Sequence, residues 1–137
     1  MEQEGNGVSK DYQRKRNTKY LLPAPVYFKV VWEIRDYYRM KDMAQAILDE
    51  SAPPSDGMPH GSPSADGVFN KASRRMYLTL ITDIIDEELM SIPKEYRRGV
   101  WNNILYKSAF PNDADRSTYA RYKSRMIYNI AERRGLI

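Results

Sequence analysis

The residues best suited to chemistry lie in Asp113–Ile137, DADRSTYARYKSRMIYNIAERRGLI, where arginine, lysine, serine and threonine alternate with tyrosine and aliphatic residues. Arginine grips a phosphate or a guanine edge through two parallel N–H bonds, and serine and threonine reach bases or phosphates with one. On a helix advancing 100° per residue, with Ser117 at zero, Arg121, Ser124, Arg125, Tyr128 and Glu132 fall between about −20° and 80°. Tyr119, Tyr122, Met126, Ile127, Ile130 and Ala131 fall between about 140° and 320°. The spacing therefore predicts one helix with a wide buried face and a narrow basic face. Asp113, Asp115 and Ser117 are each fit to cap its start, and Gly135 to end it, with Arg133 and Arg134 at the negative end of its dipole. A packed helix on the surface of any basic protein carries a similar stripe, so the wheel alone does not decide function.

The elements that must position this helix read as helical too. Proline near Pro23–Pro25 suits a first helical turn. Tyr27, Val30, Val31, Ile34, Tyr37, Tyr38, Lys41, Ala44, Ile47 and Leu48 then recur in steps of three and four, predicting one long helix to Glu50. A second helix is expected over Asn70–Met90, with Tyr77, Leu78, Ile81, Ile84, Ile85 and Leu89 as its apolar stripe. A third is expected over Pro93–Lys107, with Ser91 as cap, Glu95 in its first turn and Val100, Trp101, Ile104 and Leu105 buried. No alternating strand pattern of useful length occurs, so the fold class is all-α. The expected architecture is a long antiparallel helical hairpin over 21–92, with a Pro/Gly loop at 51–67, followed by a basic pair of helices over 93–137.

Composition narrows the function classes. The chain has 137 residues, the size of one ordinary domain, and no cysteine, which excludes disulfides and thiolate chemistry. No apolar run approaches the roughly 20 residues that span a bilayer, and residues 1–20 lack the apolar core of a secretion signal, so a cytoplasmic protein without a membrane partner is expected. The net charge of +4 is unevenly spread: +2 over residues 1–20, −4 over 21–93 and +6 over 94–137. A basic end beyond an acidic middle is the footprint of a phosphate-binding module, and equally of a solvated face or a site for an acidic protein. Residues 1–20 read as a disordered basic tail, in which Arg14, Lys15 and Arg16 suit either a phosphate-touching arm or a solubilising segment. His60 stands alone in the 51–67 loop, and one histidine without converging ligands makes no metal or catalytic centre. Asp83, Asp86, Glu87 and Glu88 read as a solvated face, able to attract the basic end. No Gly-rich phosphate loop, nucleophile–base set or metal-spaced ligand set appears, so neither an enzyme nor a cofactor is expected.

The order of a long helix, a loop with GMPHGSPSADG, a second helix, IPKEYRRGVW and a terminal DRSTYARYKSRMIYNIAERRGL helix resembles the small phage transcriptional regulators of the RinA/ArpU type over roughly residues 25–137. Asp115, Arg116, Ser117, Thr118, Arg121, Lys123, Arg125, Ala131 and Glu132 stand where that family has its cap, basic run and terminal Ala-Glu. The resemblance implies a late-gene activator in a bacterial host, with a C-terminal helix-turn-helix similar to the promoter-reading part of sigma factors. Ser117, Thr118, Arg121, Ser124 and Arg125 would then face the major groove of duplex DNA, and Arg97, Arg98, Arg116 and Lys123 would hold phosphates, with 116 and 123 equally able to lie over apolar neighbours. Host RNA polymerase and a second copy of the chain are the partners that such a reader implies. The segment between the last two helices departs from the pattern, because Pro111 breaks it and a separate short helix hardly fits. Either Pro93–Lys107 is itself the supporting helix or the module is degenerate. The alternative class is a protein-interaction module without nucleic acid, consistent with eleven tyrosines in the chain. No aromatic platform for single-stranded RNA is marked.

Overall fold

A computed structural model describes residues 13, 18–50 and 65–137. The basic run at 14–16, His60 and most of the expected 51–67 loop lie outside the described residues. The described chain is all-helical and forms no strand: α1 (Ala24–Arg35), α2 (Tyr37–Glu50), α3 (Ala65–Met90), α4 (Lys94–Tyr106) and α5 (Arg116–Arg133), preceded by a short 3-10 helix at Thr18–Tyr20.

Three boundaries differ from the sequence expectation. The first long helix is two helices, because the chain turns at Asp36. Asp36 begins α2 as a fresh start: its carbonyl accepts the Met40 N–H, and its carboxylate takes the Arg39 guanidinium through two bonds of 2.6 Å. Aspartate favours such a starting position, and periodicity alone does not see it because the apolar steps continue on both sides. The second helix starts at Ala65, so the last residues of the expected loop are helical. Gly67 costs about 1 kcal/mol there relative to alanine, a cost that a long helix absorbs. The end of the expected tail is also structured. Tyr20 lies against the Tyr128 ring at 5.6 Å, and the Gln13 amide bonds both the N–H and the carbonyl of Leu22 at 2.7 and 2.8 Å.

The chain divides into two compact units. One comprises residues up to Arg35 together with Ile84–Ile137, and the other is Asp36–Asp83. In the first, α5 lies against both α1 and α4, and α1 against α4. Its core is Tyr27, Val30, Val31 and Ile34 of α1, Ile84 and Ile85 at the end of α3, Ile92 between α3 and α4, Val100 and Ile104 of α4, and Tyr119, Met126, Ile127, Ile130 and Ala131 of α5. These are the apolar positions that the three-and-four spacing selects, and their burial is the main stabilising term. Trp101, expected in the core, is only half-buried. In the second unit, Met40, Ile47, Leu78 and Ile81 are buried, and Lys71 of α3 pairs with Glu50 of α2 at 3.3 Å. Tyr38, Leu48 and Tyr77, placed on the apolar stripes by spacing, are exposed.

Candidate nucleic-acid interface

Helix α5 is fixed at both ends. Asp115 occupies the N-cap position in extended backbone without a side-chain cap bond, and its carbonyl takes the N–H groups of Thr118 and Tyr119. Asp113 acts differently from the cap foreseen for it: it accepts the Tyr119 hydroxyl at 2.5 Å. At the other end Gly135 adopts φ +71°, where glycine carries no steric cost, and the Gly135 and Leu136 N–H groups close onto the carbonyls of Glu132 and Ala131. Arg134 then makes a two-pronged ion pair with Glu33 of α1, both bonds 2.8 Å, and Arg133 reaches Glu87 and Glu88 at 2.6 and 3.2 Å. The attraction of Glu87 and Glu88 for the basic end is expected from sequence, but not that Arg133 meets it, and the Glu33 pairing is not expected at all. Each joins residues far apart in sequence, and the only available signal was the opposite sign of the middle and the end of the chain.

Tyr119 has no exposed surface. Burial, and secondarily the hydrogen bond to the Asp113 carboxylate, pushes its hydroxyl up to about 12. An unfolded tyrosine ionises near pH 10, so the stability Tyr119 contributes is intact below about pH 10 and lost as pH rises toward about 12. Urea unfolding from about pH 9 to 11.5 is expected to show a shallower loss of stability in Tyr119→Phe than in wild type. Equal slopes would detach the tyrosine from that pH dependence.

The basic residues fall into two groups. Arg98, Arg116, Ser117 and Arg121 are exposed. Arg121 lies over the Tyr122 ring, 5.6 Å from its centroid. The others foreseen as site residues are half-buried and have internal partners or neighbours. Arg125 sits 5.0 Å from the centre of the same ring and donates to the Ser91 carbonyl at 3.1 Å. Arg97 donates to the carbonyls of Ile92 and Met90 at 2.7 and 2.8 Å, closing the last turn of α3. The Lys123 ammonium donates to the Asn103 side chain at 2.7 Å, and the amide nitrogen of that buried asparagine donates to the Ser108 carbonyl. Thr118 and Ser124 lie at the edge of the buried face. Ser91, foreseen as the cap of α4, instead donates its hydroxyl back to the Glu88 carbonyl, and Pro93 takes the N-cap position.

Tyr122 shows what this arrangement can and cannot do. Tyr96 of α4 stacks on it at 5.2 Å and 24°, and two guanidinium groups lie against it. Its ring is occupied by the protein, so it is no platform for an unstacked base; it holds arginine side chains in a preferred orientation. Among the described residues no three of His, Cys, Asp and Glu converge on a metal-sized site, and no helix is long and apolar enough to cross a membrane.

Comparison of the chain with protein-family models, with curated proteins and with solved structures finds no match.

Proposed function

We propose that the protein is a DNA-binding transcriptional regulator of the phage late-gene activator type, reading duplex DNA with α5 and using α4 as the supporting helix of a widened helix-turn-helix. The observation that carries this reading is the exposed set Arg116, Ser117 and Arg121 on a helix whose opposite face is buried against α1 and α4. A reader helix needs such a rigid back and a cationic front. Arg121, Ser117, Thr118, Ser124 and Arg125 take the groove-facing role, and Arg98 and Arg116 take phosphates. Arg97 and Lys123 contribute by holding α4 and α5 in place. The Lys107–Asp115 connection is longer than the turn of an ordinary helix-turn-helix, which sets the two helices farther apart in sequence without separating them in space. The antiparallel hairpin of the preceding helices, host RNA polymerase as its partner and a cytoplasmic location belong to the same proposal.

Binding to random-sequence duplex DNA across a salt series tests it. Wild type is expected to bind with affinity falling steeply in salt. Arg116→Glu/Arg121→Glu is expected to lose most of that affinity and to show a log–log salt slope shallower by about 1, since each phosphate contact contributes about 0.9 and Arg116 is the phosphate contact of the two. Both arginines are exposed, so the double variant leaves the fold intact; Arg125 is unsuitable because its Ser91 contact would confound the result. Absence of wild-type binding at low salt overturns the proposal in favour of a protein-interaction module. One observation favours that second reading: Trp32 of α1 and Tyr106 of α4 are 62% and 63% exposed, and both types concentrate at protein interfaces.

A further inference from the structure

Helix α3 carries apolar residues on two opposite sides. At 100° per residue Phe69, Met76 and Leu80 fall within about 40° of one another, while Leu78 and Ile81 lie about 120–180° from Phe69. Leu78 and Ile81 are buried, but Phe69, Met76 and Leu80 are 70%, 70% and 54% exposed. An amphipathic helix has one apolar side for its own core; the second side is surplus to the folding of one chain.

We propose that this stripe is a homodimer interface, formed by two copies of α3 packed antiparallel. Three features select a second copy and that orientation. The stripe is self-complementary in size: pairing Phe69 of one copy with Leu80 of the other sets each Met76 over the small Ala72 and Ser73 of the facing helix, all of them exposed. Its charge favours the antiparallel arrangement. At 100° per residue Asp83 and Glu87 fall within about 40° of Phe69, on the side of the stripe, while Lys71, Arg74 and Arg75 lie about 120–160° from it. Antiparallel packing sets the acidic ends of the two copies apart, whereas parallel packing in register opposes Asp83 to Asp83 and Glu87 to Glu87. The area suffices. Phe69, Met76, Leu80 and the neighbouring Tyr77 expose roughly 500 Å² per copy, so a pair removes roughly 1,000 Å² from water before flanking residues are counted, the scale at which specific interfaces begin. The apolar contact, formed by residues 69–80, lies within residues 36–83 and does not depend on the DNA-binding reading.

Sedimentation equilibrium of the full chain across a concentration series tests the pairing, because dimer formation follows mass action. Wild type is expected at twice the 16.0 kDa chain mass, and Met76→Glu/Leu80→Glu at the chain mass with the same helical circular dichroism. Should the double variant lose helicity, Ala72→Arg, on an exposed small residue, is expected to break the dimer without loss of helix. A wild-type monomer at about 100 µM, or a dimer that survives in the folded variants, overturns the proposal. Orientation is read separately. The chain lacks cysteine, so Phe69→Cys and Leu80→Cys each introduce a single thiol. Mixed and oxidised, the two variants are expected to form mainly the Phe69→Cys/Leu80→Cys heterodimer. Predominant linkage of each variant to itself overturns the antiparallel arrangement.

Discussion

Replacing Arg134 by alanine is expected to destabilise the protein by about 2–4 kcal/mol, and replacing Glu33 by alanine by a similar amount. The two side chains retain only 11% and 15% of their exposure and are joined by two parallel bonds of 2.8 Å. Removing one partner strands a desolvated charge on the other, and that stranded charge dominates the effect. Arg133 gives the contrast within one residue of sequence. Its side chain is 38% exposed, its nearer partner Glu87 is 62% exposed, and Glu88, though only 13% exposed, keeps the Asn129 amide at 3.1 Å, so the effect of Arg133→Ala is held to about 1 kcal/mol or less. A double-mutant cycle separates the terms: Glu33→Leu/Arg134→Met is expected to be close to wild type although each single change is costly, because an apolar pair of similar volume strands nothing. Chemical unfolding at pH 7 checks these variants together with the single changes Glu33→Leu and Arg134→Met that complete the cycle. Equal small losses for Arg134→Ala and Arg133→Ala would show that the Glu33 pair behaves as a surface contact. The pair closes the C-terminal end of α5 onto α1, so its loss frees the last turn of the helix and leaves the exposed residues at the N-terminal end where they are.

The contrast between Arg133 and Arg134 also marks how far the sequence could be read. Helix α5 was legible because its chemistry is local: Tyr119, Met126, Ile127, Ile130 and Ala131 recur at helical spacing and are the residues buried in the fold. Tyr122 has the same periodic signature yet stays half-buried, since Tyr96 reaches it only after α4 and α5 come together. The two terminal arginines read alike as dipole partners. Which of them would be desolvated depended on Glu33, about a hundred positions away, and no local pattern encodes that distance. The candidate site was legible in the same partial way. Arg121 is exposed as its wheel position suggests; of the two residues at the apolar edge Arg116 is exposed while Lys123 meets a buried asparagine, and Arg97 meets a helix C-terminus. Residue type specifies what a side chain can bind; tertiary packing decides whether the protein has already bound it. The break at Asp36 and the surplus stripe on α3 escaped for a related reason. Periodicity counts apolar steps, and it registers neither a turn that preserves the count nor a second face that the chain leaves exposed.

Gly99→Ala is expected to lower stability by about 1–2 kcal/mol, the reverse of the usual gain for glycine to alanine inside a helix. The sign follows from where α4 meets α5. A Cβ on Gly99 would lie 2.5 Å from Tyr119 Cε1 and 2.8 Å from Pro111 Cδ. Neither neighbour yields cheaply. Pro111 has a rigid ring, and Tyr119 is locked on three sides: its hydroxyl by Asp113, one ring face by Phe110 stacked at 5.2 Å and 12°, and an edge-on contact with Tyr96 at 5.3 Å. Alanine at an unobstructed helical site recovers about 1 kcal/mol of propensity, so a net loss requires the clash to exceed that gain. Gly99→Val adds two methyl groups to the same space and a β-branch to the helix, and is expected to lose about 3 kcal/mol or more. Thermal unfolding reads both, with a fall of about 3 °C per kcal/mol for a chain of this size. The double variant Gly99→Ala/Tyr119→Leu provides the discriminating comparison. Shortening the ring removes the 2.5 Å conflict, so the alanine is expected to cost less in the Tyr119→Leu background than in wild type. Strict additivity would place the strain elsewhere than between Gly99 and Tyr119. Because this contact sets the spacing of α4 from α5, the proposed reader-helix role carries a further expectation: any DNA affinity weakens in Gly99→Val at temperatures where the variant is still folded, although it changes no charge.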